Sequence, residues 1–214
     1  MSDIFREVDE ELRRDNFAKL WTRYGHYIVG LAVLIILATA AVTGWRWYQE
    51  RQQRAESLRY AAAADLARQN QLSQAADAFA ALARDAGSGQ AVLARLQEAA
   101  LRGKAGDEAK AVADFKAIAQ DPSVDSIYRN AATLSAALHE LASAEPLALI
   151  AEVAPLTADG NPWRPTALEI TALAHLRAGD KEKAREIYKG LADDLTVPQG
   201  LRARATEMIT ALSG

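Results

Sequence analysis

Two segments of the chain, AGDEAKAVADFKAIAQDPSV at residues 105–124 and AGDKEKAREIYKGLADDLTV at 178–197, are variants of one sequence set 73 positions apart. Gly106 aligns with Gly179, Asp107 with Asp180, Ala111 with Ala184, Phe115 with Tyr188, Asp121 with Asp194 and Val124 with Val197. An earlier copy, ending QLSQAADAFAALARD, aligns with the first at an offset of 36 through Ala75 and Phe79. A chain that repeats at such an interval is built from small supersecondary units, each too small to bury its own apolar face, which stack on one another. The chain has 214 residues, half of them apolar, with only 12 Gly and 6 Pro. That composition suits packed helices rather than sheets or a disordered polymer.

Three columns run through the copies: Ala63, Ala99, Ala172; Ala75, Ala111, Ala184; and Phe79, Phe115, Tyr188. Within a copy the steps are twelve and then four residues, a pattern that resembles the tetratricopeptide repeat, a helix–turn–helix unit of about 34 residues. The two alanines let the paired helices approach closely, and the aromatic ring fills the wedge toward the next unit. Gly106 and Gly179 fall where a first helix ends, and Asp107 and Asp180 are placed to cap the second. The resemblance implies an all-α fold, a right-handed solenoid of such hairpins over residues 57–214. The position three after the aromatic, usually small in these repeats, is Leu82, Ile118 or Leu191. A degenerate unit has to lie between the second and last good copies; its expected columns are Ala136 and Ala148, with Glu152 replacing the ring and Pro146 and Pro155 bracketing a short helix. Thr196-Val-Pro-Gln199 reads as a capping box with an early proline, starting a terminal helix to about Leu212.

From Gly25 to Trp45 the sequence GHYIVGLAVLIILATAAVTGW contains no Asp, Glu, Lys or Arg. As a helix it is roughly 30 Å long, one hydrocarbon thickness. Trp21, Tyr24 and Tyr27 flank one end and Trp45, Trp47 and Tyr48 the other, as amphipathic rings at headgroup level would. A transmembrane helix is expected over residues 25–48, anchored by Tyr27, Leu31, Leu34, Leu37, Trp45 and Trp47, with a helical connector at 49–56. Ala38-Thr39-Ala40 imitates a signal-peptidase site, but six acidic residues precede the run and it continues to the second aromatic belt, which favours an uncleaved anchor. Arg13, Arg14, Lys19 and Arg23 before the span balance Arg46, Arg51, Arg54 and Arg59 after it, so the positive-inside rule leaves orientation undecided. Ala40 and Gly44 form a small-xxx-small pair of the kind that seats a second helix, though one that arises by chance in an alanine-rich span. Residues 1–24 form an amphipathic tail, with Ile4, Phe5, Val8, Leu12, Phe17 and Leu20 on one stripe. It reads equally as a helix on the bilayer surface or as a handle for a partner.

Catalytic chemistry is hard to place. The chain has no cysteine, which removes disulfides and thiolate metal sites. A net charge of −3 with interspersed signs argues against a nucleic-acid footprint. His139-Glu140 starts like a zinc-protease helix, but position 143 is Ser. Ser135 lies one turn from His139 without an orienting acid. His26 sits at the membrane edge and His175 at a position expected to pack between helices. Gly87-Ser88-Gly89 follows no strand and is a helix connection. No cofactor and no metal is expected, and no enzyme. Trp163, in Asn161-Pro-Trp-Arg-Pro165, is either a packing ring between repeats or a partner contact.

The tail FREVDEELRRDNFAKLWTRYGHYIV, one span and a degenerate repeat domain together make the whole chain similar to the YfgM-like proteins, ancillary subunits of the SecYEG translocon in Gram-negative bacteria. The resemblance implies a cytoplasmic N-terminus, an inner-membrane span and a periplasmic repeat domain. It also implies as partners the Sec translocon, a membrane-anchored periplasmic prolyl isomerase and nascent secreted chains, which the protein would assist as a chaperone-like module. The alternative is a structural adaptor for envelope assembly or cell division.

Overall fold

The computed structural model describes the backbone of residues 3–213 and the side chains of residues 21–213, apart from Ile28, Ala32 and Ser88. The stripe expected from Ile4 to Leu20 therefore lies outside the described side chains. All regular structure among the described residues is helical. The helices are α1 (Asp3–Arg68), α2 (Leu72–Asp85), α3 (Ser88–Lys104), α4 (Glu108–Ala119), α5 (Ser126–Glu140), α6 (Pro146–Val153), α7 (Arg164–Arg177), α8 (Lys181–Asp193) and α9 (Gln199–Ala211), with a 3-10 turn at Ala154–Thr157. Two compact units divide the chain, Met1–Ala55 and Glu56–Gly214.

In the first unit α1 is long and apolar enough to cross a membrane, and no part of its most apolar window is packed inside the protein. Tyr27, Leu31, Leu34, Leu37, Trp45 and Trp47 are all exposed. The Thr39 hydroxyl donates to Ile35 O at 2.8 Å, so this polar group is satisfied inside the helix. Below the apolar run the Arg51 guanidinium lies 3.9 Å from the centre of the Trp47 ring, a cation–π contact.

The second unit consists of four helical hairpins and a closing helix. The last turns of α1 pair with α2, α3 with α4, α5 with α6, α7 with α8, and α9 packs on the last. In three hairpins the connection is three residues long (69–71, 105–107, 178–180), and its middle residue is left-handed: Asn70 (φ 62°), Gly106 (φ 96°) and Gly179 (φ 83°). Asn is the side chain that tolerates this region best, which explains how the first copy does without glycine. Asp107 and Asp180 then accept hydrogen bonds from the backbone N–H of Lys110 (3.3 Å) and Lys183 (3.2 Å), capping α4 and α8 as expected.

Four cores follow one another along the unit, each built by one hairpin and closed by the first helix of the next. Ala63, Ala75, Phe79 and Leu82 are joined by Ala94 and Leu101 of α3. Ala99, Ala111, Phe115 and Ile118 are joined by Ala132 and Ala136 of α5. The third core, from α5 and α6, takes Ala167, Ile170 and Ala174 of α7, and the fourth, Ala172, Ala184, Tyr188 and Leu191, takes Leu201 and Ala205 of α9. Ala94, Ala132 and Ala167 hold the same place in successive hairpins and are fully buried by the preceding unit. Leu58 holds that place in α1 and is 73% exposed.

The third hairpin corrects the register expected from sequence. Its buried set is Ala137, Leu149, Val153 and Leu156, one residue later than Ala136, Ala148 and Glu152. Ala148 is exposed and Glu152 half-buried, while Ala136 faces the preceding core. The shift arises upstream: α4 and α5 are joined by six residues, 120–125, where α2 and α3 are joined by two, 86–87, so Ala111 to Ala137 is 26 positions against 24 from Ala75 to Ala99. The connection 141–145, five residues instead of three, follows a helix that ends two residues earlier relative to its buried alanine, and the two differences cancel. Glu145 accepts from Ala148 N at 2.8 Å and Pro146 takes the first helical position, fixing the start of α6. The steps of twelve and four are kept within this shifted frame.

A second correction concerns the terminal helix. Thr196 does not cap it; Thr196 N and Oγ both donate to Asp194 Oδ1, at 2.8 and 2.6 Å, in a turn that precedes Pro198. The helix starts at Gln199, with Pro198 at the N-cap and no side-chain cap bond.

Candidate protein-interaction surface

Ala63, Ala75, Ala99, Ala111, Ala172 and Ala184 are fully buried, and so, nearly, are Phe79, Phe115 and Tyr188. The structure thus places all nine in the hairpin cores rather than on a surface. Burial pushes the Tyr188 phenol up to about 12. Trp163 is half-buried and packs against the third core, with its Nε1 buried and without a hydrogen-bond partner among the described residues.

The histidines go to structural positions. His26 leans on Tyr27 with ring centres 4.0 Å apart. Ser135 Oγ donates to Ala131 O at 2.9 Å, so the structure does not bring it together with His139. His139 instead stacks on Phe115, ring centres 5.5 Å apart, and shares a 2.5 Å hydrogen bond between Nδ1 and Glu108 Oε2. It occupies in α5 the place that Leu101 occupies in α3, facing the preceding hairpin. His175 Nδ1 lies 3.8 Å from Asp180. Among the described residues no group of three or more His, Asp or Glu side chains converges as metal ligands would.

Gly103 lies under the His139 ring, and a methyl group added there would collide with the imidazole. The ring has little freedom to yield, being stacked on one side and hydrogen-bonded on another. Replacing glycine by alanine within a helix otherwise stabilises by about 1 kcal/mol. Gly103→Ala is therefore expected to destabilise the wild-type chain by about 1–2 kcal/mol and to stabilise a His139→Ala chain. A four-member cycle of urea melts checks this, and equal signs in the two backgrounds would remove the proposed contact.

Charged side chains mostly stitch helices together. Arg102 is held above its usual range chiefly by its hydrogen bond to Glu98, and it also reaches Asp77 at 3.4 Å. Lys116 meets Glu140 at 2.7 Å, and that bond raises its pKa. Burial raises Glu152 nearby. Arg204 grips Glu169 with Nε and Nη2 at 2.9 and 3.0 Å, a bidentate link from α9 to α7. Arg177 donates to Ala144 O at 2.7 Å, tying α7 to the long third connection.

One pairing recurs with the repeat. Arg59 reaches Asp85 at 2.9 Å and Arg95 reaches Asp121 at 3.0 Å, both partners 36 residues apart. Hydrogen bonds from Ser123 and Arg95 lower the Asp121 carboxyl to about 2. A carboxylate depressed on folding contributes stability that is present above its unfolded value near 4 and is lost as pH falls through its folded value. The thermal midpoint of the wild type should therefore fall more steeply between about pH 4 and pH 2 than that of Asp121→Ala; parallel curves would show that the pair contributes nothing.

The remaining surface consists of helix faces and turns, with Leu93 and Leu138 exposed on α3 and α5 and Leu195 on the turn before α9. A row of helical hairpins sharing their cores, whose polar groups are engaged in holding helices together, is the architecture of a protein-interaction repeat. The tetratricopeptide repeat-like domain family matches residues 18–208, and the chain belongs to that family. Domains of this kind are protein-interaction modules, typically without catalysis. Comparison with curated proteins and with solved structures gave no match.

Proposed function

We propose that the chain is a single-span inner-membrane protein that holds a right-handed solenoid of tetratricopeptide-type hairpins in the periplasm beside the Sec translocon. The observation that carries this reading is the apolar, unburied segment of α1. The family match, over residues 18–208, covers this segment together with the repeats, which supports reading the two as one unit. A helix with that much lipophilic surface and an aromatic belt at each end suits a bilayer. In this reading residues 1–24 are the cytoplasmic tail, 25–48 the span, 49–56 the connector and 57–214 the repeat domain. Similarity to the YfgM-like proteins supplies the orientation and the partners: the translocon, a membrane-anchored prolyl isomerase and emerging secreted chains. In such a solenoid the first helices of the hairpins would line a concave face that holds such a segment.

Site-specific crosslinking from the span, at residues from Gly30 to Gly44, tests the proposal. Translocon subunits among the products, with the repeat domain cleaved by protease only from the periplasmic side, are expected. Products made up of division or outer-membrane assembly proteins would replace the translocon reading with that of an envelope adaptor.

A further inference from the structure

Each hairpin carries an aspartate three residues beyond the last core position of its second half: Asp85 after Leu82, Asp121 after Ile118, Asp159 after Leu156 and Asp194 after Leu191. The first three hold an arginine. Arg59 and Arg95 come from the first helix of the same hairpin, and Arg164, from the following helix, reaches Asp159 at 3.2 Å. In α7 the place of Arg59 and Arg95 is taken by Leu168, and Asp194 has no ion pair among the described residues. The atoms match closely. In Asp121, Oδ1 accepts from Ser123 N and Oγ at 3.0 and 2.6 Å, which leaves Oδ2 for Arg95. In Asp194, Oδ1 accepts from Thr196 N and Oγ in the same way, and Oδ2 has no hydrogen-bond donor among the described residues.

A cavity of about 380 Å³ opens beside it, lined by Leu168, Ile187, Gly190, Glu186, Arg164 and Asp194 among others. Gly190 widens it, since the equivalent residues in the first two hairpins are Ala81 and Ala117. Two carboxylates and two branched apolar side chains suit a guanidinium on an alkyl stem. Two cations bear on the site. Arg164 uses its Nε both to donate to Thr157 O at 3.0 Å and to pair with Asp159, and its charge and that of Arg202, from the neighbouring helix, both favour the ionised Asp194 carboxylate.

We infer that the slot between α7 and α8 receives an arginine side chain from a partner polypeptide, which completes at Asp194 the pair that the other hairpins make internally. The inference rests on the chain being a protein-binding repeat, and on neither the span nor the translocon. The slot lies within the last hairpin.

The test uses the full chain in detergent micelles and a blocked heptapeptide with arginine at its centre between two leucines, Ala-Ala-Leu-Arg-Leu-Ala-Ala. Amide resonances of Gly190, Leu191 and Asp194 should shift on titration. The citrulline peptide, equal in shape but uncharged, should bind roughly tenfold more weakly or worse, as a lost charge-assisted hydrogen bond predicts. Leu168→Arg should fill the slot from within, raise the thermal midpoint and abolish binding. Asp194→Asn keeps the turn acceptor for Thr196 and should weaken binding by a similar factor, a control should the arginine variant fold poorly. Absence of shifts with the wild type, equal binding of the citrulline peptide, or unchanged affinity in Asp194→Asn would overturn the inference. Binding of N-acetylarginine amide as tight as that of the peptide would overturn it too, in favour of a small-molecule site.

Discussion

Phe115→Ala is expected to destabilise the repeat domain by about 3–5 kcal/mol, a large share of the 5–15 kcal/mol typical of a domain this size. Phe115 is nearly fully buried, anchors the second core and carries the stacked ring of His139, so its loss opens a cavity and frees a neighbour at once. The core is closed by α5, so the damage should spread beyond one hairpin: hydrogen exchange should quicken in α5 as well as in α3 and α4. Phe115→Leu, which keeps much of the volume, should cost roughly half as much. A loss below about 1 kcal/mol for the alanine variant, measured by urea denaturation, would contradict the packing described.

The second large effect concerns the anchor. Leu34 and Leu37 lie in the middle of the apolar run of α1 and are exposed on it. An arginine at the centre of a spanning helix costs about 2.5–3.5 kcal/mol on insertion scales. Introducing Leu34→Arg and Leu37→Arg together should move most of the protein from the carbonate-resistant membrane fraction to the soluble one. The circular dichroism of the repeat domain should be unaffected, because neither residue belongs to any of its four cores. Extraction of the wild type by carbonate would end the single-span reading irrespective of what the variants do.

The hairpin plan was legible because its signals are local and chemically distinctive: an aromatic every 36 or 73 residues, glycine where a left-handed turn is needed, aspartate at the next cap. The third hairpin was misread for a physical reason. Alanine stands at both 136 and 137, each fully buried but against different cores, so sequence gives no reason to choose one frame over the other. The deciding feature is the length of a polar connection, which leaves no mark in a hydrophobic pattern. Leu149 and Val153 carried the true frame, but apolar residues are dense around them and the missing aromatic column hid it. Thr196 was misjudged because a hydroxyl before a helix has two acceptable uses, and Asp194, two residues earlier, captured it first. The arginine–aspartate column was visible at the offset of 36, yet its meaning depends on Leu168 facing the same cavity as Asp194, which spacing alone does not disclose. By its setting among prolines Trp163 fits either a packing ring between repeats or a partner contact, and it lies half-buried against the third core.

The sharing of each core with the following helix also bears on how the chain acquires its shape while it is being made. Synthesis delivers α1 first, and the pair it forms with α2 is left half-covered until Ala94 and Leu101 of α3 have emerged. The same debt passes from hairpin to hairpin, so the settled portion always trails the growing end by one helix. The last instalment is α9, whose Leu201 and Ala205 close the fourth core. If the repeat domain is threaded across a bilayer, the final hairpin stays unfinished until α9 has crossed.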